Sequence, residues 1–155
     1  TLKGEIYGNV FDHHAVVYDF PNSVRVYAFC RTIDNCYNEN SSFIIGSKGR
    51  CDLLRLRIEG ETNWQSPVSQ RRDSAYDLEH VALFDSIRKG QPLNNGVYMA
   101  RSTMMAIMGR MTAYTGQTLT WDQCLNSAEY LTPKSYDWGD VPGPQVAKPG
   151  LSPCV

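Results

Sequence analysis

The sequence predicts an α+β fold: an open, mostly antiparallel sheet with helices packed on one face. Three observations carry this. Runs rich in β-branched and aromatic residues all lie before Gln65, and helix-period stripes begin only after Asp73. Turn residues (Pro21-Asn22-Ser23, Gly46-Ser47-Lys48-Gly49) separate consecutive short strands, as between antiparallel neighbours. Strands first and helices last is the α+β order, not the alternating order of a parallel sheet.

Residues 1–10 read as a polar lead-in. Phe11–Phe20 and Val24–Arg31 then form the strongest local signal, a hairpin around Pro21-Asn22-Ser23. A two-residue hairpin turn needs φ > 0 at its first central residue, and proline is fixed near φ of about −65°. A type I turn over Pro21-Asn22 is therefore predicted, with Ser23 near the left-handed region as a bulge. That register pairs Phe20 with Val24, Tyr18 with Val26, Val17 with Tyr27 and His13 with Arg31. Strand parity puts His14, Val16, Tyr18, Val26, Ala28 and Cys30 on one face, expected to be core. The other face carries His13, Ala15, Val17, Tyr27, Phe29 and Arg31. A slip of one residue would exchange His13 and His14.

Thr32–Asn40 reads as a loop and Ser42–Ile45 as a strand. A turn leads into Arg50–Ile58, read as one loosely alternating strand. Gly60 and Asn63 break the chain, Trp64 closes a last short strand, and Gln65–Arg72 is a polar surface loop. Ser74–Lys89 is predicted helical, with Asp73 or Ser74 as N-cap and Gly90 as stop. Tyr76, His80, Leu83, Phe84 and Ile87 share one face of it, so His80 is expected inside. Val97–Thr115 is a second helix ended by Gly116. Ala100, Met104, Ile107, Met108, Met111 and Thr115 form its core stripe, and Gly109 admits another element closely. Thr120-Trp121-Asp122-Gln123 has the capping-box form and opens a short helix to about Ala128. From Leu131, five prolines and three glycines argue for an extended surface tail. Residues 1–131 are thus expected as one domain and 132–155 as its tail.

The 155 residues are 42% hydrophobic and 20% charged with net charge −1, an ordinary globular composition. No basic stripe suggests nucleic acid, and no polybasic or long apolar run suggests a membrane. Thr1 is not an initiator, so the chain is expected to be processed or cut from something larger. Cys30, Cys36, Cys51, Cys124 and Cys154 are odd in number, without CxxC or zinc spacing. They are expected as free, packed thiols; a Cys30–Cys36 bridge stays open for an exported protein.

No GxGxxG or GxSxG occurs, and the segment Gly46–Gly49 lacks the spacing of a phosphate loop. No catalytic, cofactor-binding or metal-binding residue is assigned. A Cys30 nucleophile with His14 across from it would lie on the core face, which disfavours a thiolate. The substrate- or interface-binding candidates are His13, Tyr27, Phe29 and Arg31 on the open hairpin face, with Tyr37 and His80. Aromatics beside arginine are enriched at interface cores and costly to leave in water. His80 is either an acid–base group or a satisfied core residue.

Four blocks, GNVFDHHAVVYDFPNSVRVYAFCR, IIGSKG, YDLEHVALFDSIRKGQPLN and RSTMMAIMGRMTAYTGQTLTWDQCLNS, run in order between about Gly8 and Leu131. Together they resemble the C-terminal domain of the Gfo/Idh/MocA oxidoreductase family, in the branch abundant in bacteria with many carbohydrate-active enzymes. The resemblance implies a sheet-and-helix domain like the C-terminal domain of glyceraldehyde-3-phosphate dehydrogenase, and an N-terminal Rossmann domain as partner. It implies NAD or NADP in the parent protein, a sugar-like small molecule against this domain, and a homo-oligomer formed through the sheet face. The implied chemistry is hydride transfer at a sugar or cyclitol carbon; some relatives hydrolyse glycosides by transient oxidation of the sugar.

The family's Gly-rich cofactor loop, Glu-Lys-Pro segment and Asp…His pair precede its first matching block, and none has a counterpart in residues 1–155. His13 and His14 do not take that role, because they lie in a strand. Relatives commonly carry Gly where this chain has Ser23. The expectation is a substrate-binding and assembly domain, inert alone. The alternatives are a stand-alone dimerising or binding domain, or a domain of an NAD-dependent glycoside hydrolase. An independent hydrolase would need two carboxylates at fixed separation, and Asp12 and Glu39 are not so placed by sequence. Cytoplasm and periplasm both stay open.

Overall fold

A computed structural model of the chain describes residues 9–67, 74–141, 143 and 145–153. The fold is α+β, with every strand pair antiparallel. The chain divides into two compact units, Thr1–Asp34 together with Asn95–Val155, and Asn35–Asn94 between them.

The first unit opens with β1 (His13–Phe20) and β2 (Val24–Arg31), a two-stranded sheet. Its register is the predicted one: His13 pairs Arg31, His14 pairs Cys30 and Phe20 pairs Val24. The turn differs in one residue. Ser23 is left-handed as expected (φ 58°), but Asn22 is left-handed too (φ 62°, ψ 32°), so the turn is not type I. Asparagine tolerates this region better than most residues, and Pro21 has already fixed the entry to the turn.

Helix α2 (Gly96–Thr115) packs on β1, and Gly116 (φ 71°) ends it in the left-handed conformation. Gly109 makes the approach close: a Cβ there would lie 2.5 Å from the Tyr18 hydroxyl. That hydroxyl donates to the Met105 carbonyl oxygen at 2.8 Å. Val16 is buried on this side of β1. Met111, Leu119 and Cys124 form the core, with Met104 and Met108 against it. Ala100 and Ile107, expected in the same stripe, are exposed.

Helix α3 (Trp121–Leu125) starts in the predicted capping box. Thr120 Oγ1 accepts from Gln123 N at 3.3 Å, and Thr120 N donates to Gln123 Oε1 at 2.8 Å. It stops short of Ala128, because Asn126 donates its side-chain amide to the Asp122 carbonyl and caps it. Strand β2 departs further from expectation. It is exposed along its whole length, Val26, Ala28 and Cys30 included. Helix α2 packs on β1, and His14, Val16 and Tyr18 of β1 are buried or half-buried while their partners on β2 are exposed, so only half of the predicted core face is core.

The second unit holds β3 (Phe43–Gly46), β4 (Gly49–Asp52), β5 (Arg57–Gly60) and β6 (Trp64–Gln65), paired in sequence order. The predicted strand Arg50–Ile58 is two strands around a turn. Asp52 Oδ1 accepts from Arg55 N at 3.1 Å, Leu56 N donates to Leu53 O at 3.3 Å, and Leu56 is left-handed (φ 50°). Gly49 and Gly60 face each other across β4 and β5, where a Cβ on either would strike the other strand's backbone. The register sets Ile44, Cys51, Ile58 and Trp64 in one row across four strands.

Helix α1 (Ala75–Lys89) has its predicted ends: Ser74 caps the first turn and Gly90 (φ 63°) closes the last. Its apolar stripe is exposed, and His80 with it. His80 is therefore not the inward residue that its position on the wheel suggested. The wheel groups side chains by face and does not say what covers the face. The predicted loop over Gln65–Arg72 lies partly, and Cys154 wholly, outside the described residues. Among the described residues no helix is long and apolar enough to cross a membrane.

Candidate functional site

The open face of β1–β2 gathers four of the six predicted site residues. Cross-strand pairing stacks His13 with Arg31, Ala15 with Phe29, and Val17 with Tyr27. Phe29 is 74% exposed and Tyr27 58%. Odd positions of β1 point away from α2 because even positions (His14, Val16, Tyr18) point toward it. His13 Nδ1 lies 2.6 Å from Asp12 Oδ1, which places a hydrogen-bonded acid–imidazole pair at the open end of the hairpin.

Two residues of this face were absent from the sequence-based set. Asp19 and Arg25 pair at the turn end, where Arg25 Nε donates to Asp19 Oδ1 at 2.6 Å. Asp19 first, and Tyr27 after it, hold the Arg25 guanidinium above its usual range. Parity and register already assign both residues to this face; following the alternation two positions further would have found them. The face thus runs from a charged pair at the turn, through Tyr27 and Phe29, to His13 and Arg31. Such a surface suits stacking and docking, with polar groups at its rim to set orientation.

Tyr37 and His80 lie in the second unit, outside this face. The Tyr37 hydroxyl donates to Glu39 Oε2 at 3.3 Å. His80 Nδ1 lies 2.6 Å from the Tyr76 carbonyl oxygen. A carbonyl only accepts, so Nδ1 is the donor in this contact. His14 packs on the covered side, its ring 6.2 Å from that of Tyr114 and nearly parallel to it, with Phe11 against both. Cys30, Cys36, Cys51 and Cys124 are not joined in disulfides. Cys124 is buried as expected; Cys30 is exposed, as is the whole of β2. Among the described residues no group of three or more His, Cys, Asp or Glu is placed to hold a metal ion.

A second cluster was not legible in the sequence. Arg110 holds Glu129 through both terminal guanidinium nitrogens, Nη1 and Nη2, and lies 5.5 Å over the Tyr114 ring. Glu129 first of all holds the Arg110 guanidinium charged beyond its ordinary range. Arg110 and Tyr114 are one helical turn apart on α2 and could be paired from spacing, but Glu129 comes from the irregular segment after α3. The cluster borders a groove of about 720 Å³ between α2 and residues 145–153. A smaller groove of about 590 Å³ lies between the turn end of β1 and α2, lined by Tyr18, Phe20, Met108 and Trp121.

No protein-family model, no curated protein and no solved structure matches the chain. The residues themselves therefore define the site's class: an exposed aromatic hairpin face with charged ends, carried on a helix-backed sheet.

Proposed function

We propose that this chain is the substrate-binding and assembly domain of an NAD(P)-dependent sugar or cyclitol oxidoreductase, inert alone. One observation carries the reading. Only Val16, Met111, Leu119 and Cys124 are buried apolar residues among those described, while Tyr27, Phe29, Ile44, Ile45 and Trp64 are left bare. Within each unit, large apolar side chains left in water on one sheet face mark that face as meant for a partner. The hairpin face is the best formed of them, with aromatics at its centre and charge at both ends. In this reading it forms a wall for a sugar and a contact for a second copy. The reacting groups and the nucleotide site belong to a Rossmann domain outside these residues.

The test is direct. Residues 1–155 with NAD+ or NADP+ and a range of sugars should give no turnover, and the chain should sediment as a dimer. Tyr27→Ala with Phe29→Ala should convert it to monomer, as loss of two interface aromatics typically costs about 2 kcal/mol or more. Turnover by the chain alone, or an unchanged dimer in the double variant, overturns the proposal. A dimer that responds to the variant while no sugar binds would favour a stand-alone dimerising domain instead.

A further inference from the structure

After α3 the chain leaves α2 and returns to it. Glu129 is tied by the bidentate pair to Arg110. Further on, Gly150 N donates to the Thr115 carbonyl at 2.7 Å, and Pro149 rests on Gly116. The Lys148 amide donates to Ser152 Oγ at 2.8 Å and Leu151 N to the Lys148 carbonyl at 2.9 Å, which closes a turn at this second anchor. The intervening segment is thus held at both ends by the last turns of α2.

Within it, residues 130–141 have no helix or strand. Tyr130 is 80% exposed, Tyr136 83%, and Trp138 fully so. The Ser135 hydroxyl donates to Asp137 Oδ2 at 2.5 Å and accepts from Asp137 N at 3.1 Å. This fixes the Asp137 carboxylate between the two ring-bearing positions, and Asp140 follows two residues after Trp138.

The three aromatic side chains carry about 450–750 Å² of surface in total, enough to cover one face of a small ring ligand. Lys134 is its one cationic side chain between Tyr130 and Val141, so it is not built for an anion. Tyrosine and tryptophan offer an apolar ring face beside a polar tip, and two carboxylates accept hydrogen bonds from hydroxyls. A ring with an apolar C–H face and a rim of hydroxyl donors has the complementary chemistry. Anchoring at both ends lowers the ordering cost on binding.

We propose that the loop of residues 130–141 is a carbohydrate-binding element, with Tyr136 and Trp138 as platform and Asp137 and Asp140 as hydroxyl acceptors. The choice of a sugar rests on the reading above; the location of the contact, on the segment after α3 and not on the hairpin, is new.

The three tryptophans, Trp64, Trp121 and Trp138, give separate indole N–H signals in a ¹⁵N-labelled full chain, assigned with Trp138→Phe. Methyl glycosides, maltotriose and myo-inositol are the probes. Saturable movement of the Trp138 signal with at least one of them, with Trp64 and Trp121 still, is expected. Trp138→Ala, followed at the remaining signals of residues 130–141, should weaken that binding about tenfold or more, and Asp137→Asn more modestly. A Trp138 signal unmoved by every probe overturns the proposal. So does movement of all three indoles together without saturation, or a Trp138 signal that responds to protein concentration instead of sugar. The oxidoreductase reading fails on different readouts, turnover by the isolated chain or a dimer indifferent to Tyr27 and Phe29.

Discussion

Tyr18 is the residue on which the first unit turns. It reaches from β1 to the Met105 carbonyl, and it occupies the space that a methyl group on Gly109 would need. Gly109→Ala in a helix interior gains about 1 kcal/mol of propensity. Here it also presses on a hydroxyl at 2.5 Å and displaces its hydrogen bond, costs of about 1–3 and about 1 kcal/mol. We expect the substitution to destabilise the wild type by about 1–3 kcal/mol in urea unfolding. In a Tyr18→Phe background the nearest remaining contacts are at 3.6 Å, and the sign should reverse, with alanine stabilising by up to about 1 kcal/mol. Additive behaviour of the two changes would contradict this account. The same tyrosine predicts a pH dependence. Burial pushes its hydroxyl above the ordinary tyrosine range. Its contribution is complete below the unfolded value, about pH 10, and is lost as pH rises through the higher folded value. The melting temperature of wild type should therefore fall more steeply than that of Tyr18→Phe above about pH 10. Parallel curves would show that the phenol is not the titrating group.

At the scale of elements, caps and turns carried the reading well wherever their chemistry was local. Pro21 alone excluded the two-residue hairpin turns, and the register that followed is the observed one. Ser74, Gly90, Thr120 and Gly116 end their helices as their side chains, or lack of them, dictate. The failures came where a side chain far from the alternation pattern decided the backbone. Asp52 closes a turn on Arg55 inside what looked like one strand, and Leu56 takes a left-handed conformation that no alternation announces. Amphipathic stripes misled in another way: on α1 and β2 they grouped residues correctly, but among the described residues those stripes are exposed. The α3 capping box offers the sharpest test at this scale, since Leu119 and Cys124 on either side of it are both core. Thr120→Ala should cost about 1 kcal/mol. Because the helix it caps is only five residues long, faster amide exchange should be confined to Trp121–Leu125. An unchanged denaturation midpoint would mean that core packing alone holds α3.

For the molecule as a whole, the site was legible to the extent that it is built from strand parity. His13, Tyr27, Phe29 and Arg31 share a face because the register demands it, and Asp19 and Arg25 belong there by the same rule. Tyr37 and His80 do not, since no parity or helical period links them to the hairpin. The Arg110–Glu129 pair and the double anchoring of the tail were invisible, because they join segments whose approach depends on tertiary structure and on no local pattern. That dependence has a consequence in time. Tyr18 and its acceptor Met105 are 87 positions apart. At a synthesis rate of about 5–20 residues per second, roughly 4–17 s pass between the appearance of the hairpin and that of its helix. During that interval Val16 and Tyr18 have no cover from α2, and the nascent chain must survive with its first sheet bare on both sides.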